Sequence, residues 1–304
     1  MVPSPLTGEA FARLRETRAR RPEEIAGALA ARRRREVLAD DGRLLVVAAD
    51  HPARGSLGVG SDPAAMANRY DLLDRLAVAL SRPGVDGVLA APDVVDDLAA
   101  LGLLEDRVVV GSMNRGGLRG SAFEIDDRYT GYDVASMVDA GVDVAKLLLR
   151  IDRADSATAS ALEAAARAVT AAAAARLPIM LEPFLSRWEN GRIVNDLSTD
   201  AVIESVAIAS GLGASSAYTW MKLPVVADME RVLEATTLPT VLLGGDSSDQ
   251  EGTFAAWERA LDLPGVRGLT VGRTLLYPPD DDVAGAVDQA AGLVHPTRAA
   301  TPTR

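Results

Sequence analysis

Apolar residues in this chain fall into short, unbroken blocks instead of alternating strictly with polar ones. The blocks are LLVVAAD (44–50), VDGVLAA (85–91), RVVVGSM (107–113), VDVAKLLLRI (142–151), LPIMLEPF (177–184), SAYTWMKL (216–223), PTVLLGGD (239–246) and VRGLTVGR (266–273). Blocks of this length predict strands buried on both faces, as in a parallel sheet covered by helices. The stretches between them carry helix signals. Asp62-Pro63 predicts the start of a helix running to about Ser81, Pro92-Asp93 starts the next, and a short helix ends near Ala140. The alanine-rich run 156–176 predicts a helix because Ala is the strongest helix former, and Thr199 is expected to cap another ending near Ser210. WENGRIVND, after the fifth block, is expected to extend a loop. Residues 5–39 predict helix broken at Pro22, with Arg32–Arg35 as a solvated helix face, and 295–304 a flexible tail.

Eight strands alternating with helices over about 230 residues predict an α/β fold, a (β/α)8 TIM barrel. The expected division is an N-terminal helical extension (1–43) packed on the barrel, the barrel itself (44–294) and the tail (295–304). An open doubly wound sheet is disfavoured, because no G-x-G-x-x-G follows the first strand and polar residues end nearly every strand.

Composition narrows the function. A net charge of −11 argues against a nucleic-acid or anionic-membrane partner, and the absence of cysteine removes disulfides, thiolate catalysis and thiolate metal sites. No apolar run approaches the roughly 20 residues of a membrane span, and the start lacks the apolar centre of a signal peptide, so a cytoplasmic enzyme is expected. Only two histidines are present, His51 and His295, which disfavours a zinc site.

The 32 basic residues include two lysines, Lys146 and Lys222, each inside a strand-like block. Lysine, unlike arginine, loses its proton when desolvated and then attacks a carbonyl as a free amine. A structural ion pair is the plainer alternative. In a barrel the C-terminal strand ends converge on one mouth, which here collects Asp50, Asn114, Arg115, Lys146, Glu182, Lys222, Gly244, Gly245, Gly272 and Arg273. Two ammoniums about 6 Å apart repel by roughly 2.8 kcal/mol at an effective dielectric near 20, which is expected to lower a lysine pKa by about two units. Glu182 and Asp50 are then candidate acid/base groups. Arg273 and the glycine amides after the last two strands are candidates for binding phosphate.

AADHPARGSLG resembles the AxDxRGxL segment of the class I tagatose-bisphosphate aldolases, and GVDVAKLLLRID resembles their GAD-VK-LLYYD. IMLEPF is similar to their FLEP, and TWMKLPV to the strand bearing their Schiff-base lysine. These aldolases belong to a barrel superfamily that also holds deoxyribose-phosphate aldolase. Barrel aldolases linked to myo-inositol catabolism and sulfosugar-phosphate aldolases are similar in the same motifs. The resemblance implies a metal-independent, cofactor-free aldolase with Lys222 forming the imine and Glu182 as acid/base. By the same resemblance Lys146, Asp50 and Arg54 would contact the substrate, a sugar phosphate cleaved to dihydroxyacetone phosphate and an aldehyde. A homo-oligomer is compatible with it. A non-catalytic sugar-phosphate-binding barrel is the alternative from a different class.

Overall fold

Thr7 opens the first helix, α1 (Gly8–Arg20), by accepting from the Ala10 amide, and α2 (Glu23–Ala31) follows Pro22. The structure is a computed structural model that describes residues 6–244 and 249–296. Helix ends at Ala31, so Arg32–Arg35 is not the solvated helix face expected from the sequence. Each guanidinium instead takes a carboxylate at the N-terminal rim of the barrel. Arg32 and Arg34 share Asp143 (2.7 and 2.8 Å), Arg33 meets Asp106 (2.8 Å) and Arg35 meets Asp86 (2.6 Å). These carboxylates stand just ahead of three neighbouring strands. Reading the run as a surface failed because its partners lie 51 to 111 residues away.

The barrel then runs β1 (Leu44–Ala48), α3 (Arg69–Ser81), β2 (Gly87–Ala90), α4 (Pro92–Ala100), β3 (Val108–Ser112), α5 (Val134–Asp139), β4 (Val144–Ile151) and α6 (Ala157–Ala175). It continues with β5 (Ile179–Glu189), β6 (Arg192–Asn195), α7 (Thr199–Ser210), β7 (Thr219–Pro224), α8 (Met229–Glu234), β8 (Thr240–Leu243), α9 (Gln250–Leu261), β9 (Val266–Val271), α10 (Arg273–Leu276) and α11 (Val283–Val294). All strands but β6 pair in parallel in the order β1-β2-β3-β4-β5-β7-β8-β9, and β9 pairs back to β1, which closes a (β/α)8 TIM barrel. At the closure Gly268 has φ +139°, and a Cβ there would lie 1.9 Å from the Leu44 carbonyl oxygen. Only glycine fits where β9 comes this close to β1.

The continuous apolar blocks have a simple cause: both faces of every barrel strand are covered. Leu44, Val46, Leu89, Val108, Val110, Val144, Met180 and Val241 fill the barrel interior. The residues alternating with them, such as Leu45, Val47, Ala145, Leu147, Ile179, Leu181, Met221 and Leu223, pack outward against the helices. This period of two carries on to the strand ends and decides which side chains face the mouth.

Three local expectations are corrected. Asn68, not Asp62, starts α3, its side chain accepting from the Tyr70 and Asp71 amides, while Val59 and Asp62 form a tight bridge. Ser198, one residue before Thr199, caps α7. The WENGRIVND stretch is a β-hairpin, not a loop: β5 continues to Glu189 and pairs antiparallel with β6. Asn190 and Gly191 both have positive φ (49° and 73°), the pairing that a two-residue hairpin turn requires.

His295 also departs from expectation. It is fully buried, with Nδ1 2.5 Å from Asp41 Oδ2 and Nε2 2.9 Å from Asp86 Oδ2. Gly245 and residues 297–304 lie outside the described residues. Among the described residues no helix is long and apolar enough to cross a membrane.

Candidate active site

The inward face of the barrel turns from apolar to charged in a single layer. Along β1, Leu44, Val46 and Ala48 point inward, and two residues on Asp50 does the same at the rim. On β4 the sequence Val144, Lys146, Leu148, Arg150 follows the inward period, on β5 Met180 precedes Glu182, and on β7 Trp220 precedes Lys222. Strand register sets Lys146 two residues below Glu182 on the neighbouring strand, within reach of its long side chain. Lys146 pairs with Met180, and Leu148 with Glu182.

The result is a cluster that shares every charge. Lys222 Nζ donates to Glu182 Oε1 at 2.6 Å, and Lys146 Nζ pairs with the other oxygen, Oε2. Lys146 also donates to Asp50 Oδ2 at 3.2 Å. That oxygen accepts further from Ser112 Oγ (3.1 Å) and is paired with Arg115. The five ionisable groups are each at most 9% exposed.

Both lysines are held below the ordinary ammonium range, and burial is the main cause. Glu182 opposes it for each, while Arg115 adds to it, together with Lys222 in the case of Lys146 and Arg273 in the case of Lys222. The sequence-based expectation that the two ammoniums lower one another is therefore a secondary effect, because Glu182 stands between them. Glu182 is held well below the carboxylate range: burial pushes it up, but the two lysines outweigh it. Lys146 is lowered further than Lys222, with burial the first cause for both, whereas the contacts favour the opposite ranking. Lys146 has two carboxylate partners and Lys222 one. With three cations against two carboxylates, the lysine with the single partner is the one that can shed its proton at least cost.

These groups line the floor of a cavity of about 840 Å³. Gly272 and Arg273 line it after β9, and Gly244 after β8. A Cβ on Gly272 would fall 2.4 Å from the Ala48 carbonyl oxygen, so the β9 end and the β1 end are in close contact. Across the ring, Arg150 at the end of β4 is paired with Glu124, which also receives Arg54 at 3.4 Å. Arg54 thus reaches the cavity, its guanidinium drawn down to about 10 by burial and by Arg150 against the pull of Glu124. Burial brings Arg115 to about 10 as well.

Asn114 is a correction. Its Oδ1 accepts from the Leu148 amide (2.8 Å) and its Nδ2 donates to the Leu148 carbonyl, so it ties β3 to β4 and does not line the cavity. Sequence reasoning missed His51, Arg119, Glu124, Arg150 and Arg192, all of which line the cavity. Arg192 arrives on the β5–β6 hairpin, and its sequence signal was the Asn-Gly turn. Glu124 and Arg119 sit in the long loop between β3 and α5, where no periodicity marks orientation. Among the described residues no group of three or more His, Asp or Glu side chains is arranged to hold a metal ion.

A search of curated proteins gave no match. Among solved structures, Cgl0159 from Corynebacterium glutamicum is 67% identical, the match covering 97% of this chain and 99% of that one with a TM-score of 0.95. An archaeal fructose-1,6-bisphosphate aldolase, solved with its catalytic lysine bound to the carbinolamine intermediate, is 18% identical over 89% of this chain and 99% of its own, with a TM-score of 0.62. A fructose-bisphosphate aldolase from Slackia heliotrinireducens is 14% identical over 97% of this chain and 89% of its own, with a TM-score of 0.60. At such identities these two likenesses carry the barrel fold. The Cgl0159-like family model matches residues 42–291, and on that match and the close likeness to Cgl0159 the chain belongs to the Cgl0159-like family.

Proposed function

We propose that the protein is a class I aldolase that cleaves a phosphorylated ketose or keto-sugar acid to dihydroxyacetone phosphate and an aldehyde through an imine on Lys222. The observation that carries this reading is a pair of buried lysines bridged by one glutamate on the floor of an open cavity. A structural ion pair has no need of a second lysine or of access to the cavity. The neutral Lys222 amine attacks the C2 ketone, and the resulting iminium accepts the electron pair released when C3–C4 breaks. Glu182, held ionised, is in the form that takes the C4 hydroxyl proton. Asp50, fixed by Ser112, Arg115 and Lys146, orients the C3 hydroxyl.

Arg273, with the backbone at Gly272 and Gly244, receives the phosphate next to the reacting ketone. Arg54, Arg119 and Arg150, on the β3 and β4 side, suit an anionic far end such as a second phosphate, a carboxylate or a sulfonate. The archaeal structure with a lysine-bound carbinolamine lends support through the shared barrel. The protein needs no cofactor in this scheme.

The test is borohydride reduction in the presence of dihydroxyacetone phosphate, read by mass spectrometry of the digest. The reduced adduct is expected on the Lys222 peptide, abolished together with turnover by Lys222→Arg, and retained with impaired turnover by Lys146→Arg. An adduct on Lys146 would reverse the roles. An adduct on neither lysine under turnover would leave the sugar-phosphate-binding alternative or another mechanism.

A further inference from the structure

Imine formation has a proton requirement that the charged cluster does not meet. Two protons must leave Lys222 Nζ and reach the ketone oxygen, which departs as water while C2–N forms and C2–O breaks. The carrier has to accept and donate in turn near neutral pH. Glu182 and Asp50 are carboxylates locked in ion pairs with lysine and arginine, so a proton taken up by either would first have to break those pairs. Arg54, Arg115 and Arg273 are permanent donors that do not accept.

His51 stands beside this cluster and enters none of its pairs. Its ring lines the cavity at the end of β1, and a Cβ on Gly272 would lie 3.2 Å from its Cε1. It is therefore on the β9 side, where the phosphate-bearing end of the substrate is assigned. Nδ1 is shut away from solvent without a hydrogen-bond partner and sits 3.8 Å from Asp50 Oδ1, beyond hydrogen-bond reach. A buried ring nitrogen left open at such a site is costly unless something else occupies it during the working cycle. The charged groups facing the ring are Arg273, Lys222, Arg54, Glu182 and Asp50.

We propose that His51 is the proton shuttle for imine formation, relaying protons between Lys222 and the C2 oxygen of the substrate. The step balances. His51 takes a proton from the Lys222 ammonium, and the freed amine attacks C2. His51 returns that proton to the C2 oxygen, then takes a second from the attached nitrogen and gives it to the departing hydroxyl. One water leaves, the iminium keeps the single positive charge, and His51 ends neutral as it began. Burial is the first cause holding the imidazole neutral before substrate arrives, reinforced by Arg273, Lys222 and Arg54 against Glu182. A phosphate on Arg273 offsets part of that positive field, so substrate binding itself brings His51 towards a working range.

This inference rests on the Schiff-base reading, and the experiment separates their failures. Borohydride trapping with dihydroxyacetone phosphate is followed over time in the full-length wild type, His51→Gln and His51→Ala. If His51 is the shuttle, both variants reach the same Lys222 adduct about 10²-fold or more slowly, and free imidazole speeds trapping in His51→Ala. The protein has two histidines, so the His295 imidazole resonances report folding in each variant. In the wild type, inorganic phosphate is expected to shift the His51 titration to higher pH and to leave His295 unmoved. Trapping at the wild-type rate in both folded variants would overturn the shuttle and leave the Schiff base intact. Loss of His295 resonances together with no imidazole rescue and no phosphate shift of His51 would also overturn it. No adduct in the wild type would overturn both readings.

Discussion

Lys146 and Lys222 look alike in the sequence and differ in what holds them: two carboxylates for one, a single shared carboxylate for the other. Both could be picked out because lysine is rare in this chain and strand-embedded lysine rarer still. Asp50 and Glu182 were legible for a similar reason, being charges at the ends of apolar blocks. Asn114 satisfied the same rule and is a strut, since position at a strand end does not reveal whether a side chain turns to the cavity or to its neighbour's backbone. His51 shows the opposite error. It was weighed only as a metal ligand, although the residue after an inward-facing Asp50 lies at the same rim. Arg273 carries the prediction at this scale: Arg273→Ala is expected to raise KM for a phosphorylated substrate about tenfold or more, as for loss of a charge-assisted contact worth roughly 1.5–3 kcal/mol. Steady-state kinetics with phosphorylated and unphosphorylated substrates checks it, and an equal effect on both would make Arg273 structural.

Elements were read from the sequence in proportion to how local their causes are. The eight barrel strands and the alanine-rich α6 were anticipated within a few residues, because double-sided burial and helix propensity act on the segment itself. The arginine arm and the β5–β6 hairpin were not. The arm is extended because Asp143, Asp106 and Asp86 compete for its guanidinium groups, and nothing in the run Arg32–Arg35 announces partners so distant. The hairpin did have a local signal in Asn190-Gly191, outweighed by the polar character of its flanks. Arg32 is 5% exposed and opposite an equally buried Asp143, so the arm contributes through charge neutralisation. Asp143 keeps Arg34 and the Val109 amide, which limits the damage. Arg32→Met is therefore expected to cost about 3 kcal/mol, the low end for breaking a buried ion pair, and Asp143→Asn to cost a similar amount by stranding Arg32. Urea denaturation of both variants and the double mutant measures this. Full additivity would mean that the two side chains do not interact.

At the scale of the molecule, the barrel is held at its N-terminal rim by contacts among the first and last parts of the chain. Asp86 receives the Leu45 amide (2.8 Å), Arg35 (2.6 Å) and His295 (2.9 Å), and His295 also meets Asp41. Burial lowers the pKa of His295, but the hydrogen bonds to Asp86 and Asp41 outweigh it and raise it overall. Its share of stability is thus present below about pH 6.5, the unfolded value, and is lost as pH rises through the raised folded value. For Asp86, burial acts upward and the His295 and Leu45 hydrogen bonds prevail, so its pKa is lowered. Its share is present above about pH 4 and is lost as pH falls through the folded value. His295→Gln should lower Tm most between these limits and progressively less at alkaline pH, which thermal melts across pH will show. The same rim sets a timetable for synthesis. β1 acquires its second neighbour only when β9, ending at Val271, has been made, and Asp86 its imidazole only at residue 295. Until then the growing chain carries an open parallel edge on either side of the gap, so only the emergence of β9 turns this fold from a sheet that can pair with another molecule into a closed barrel.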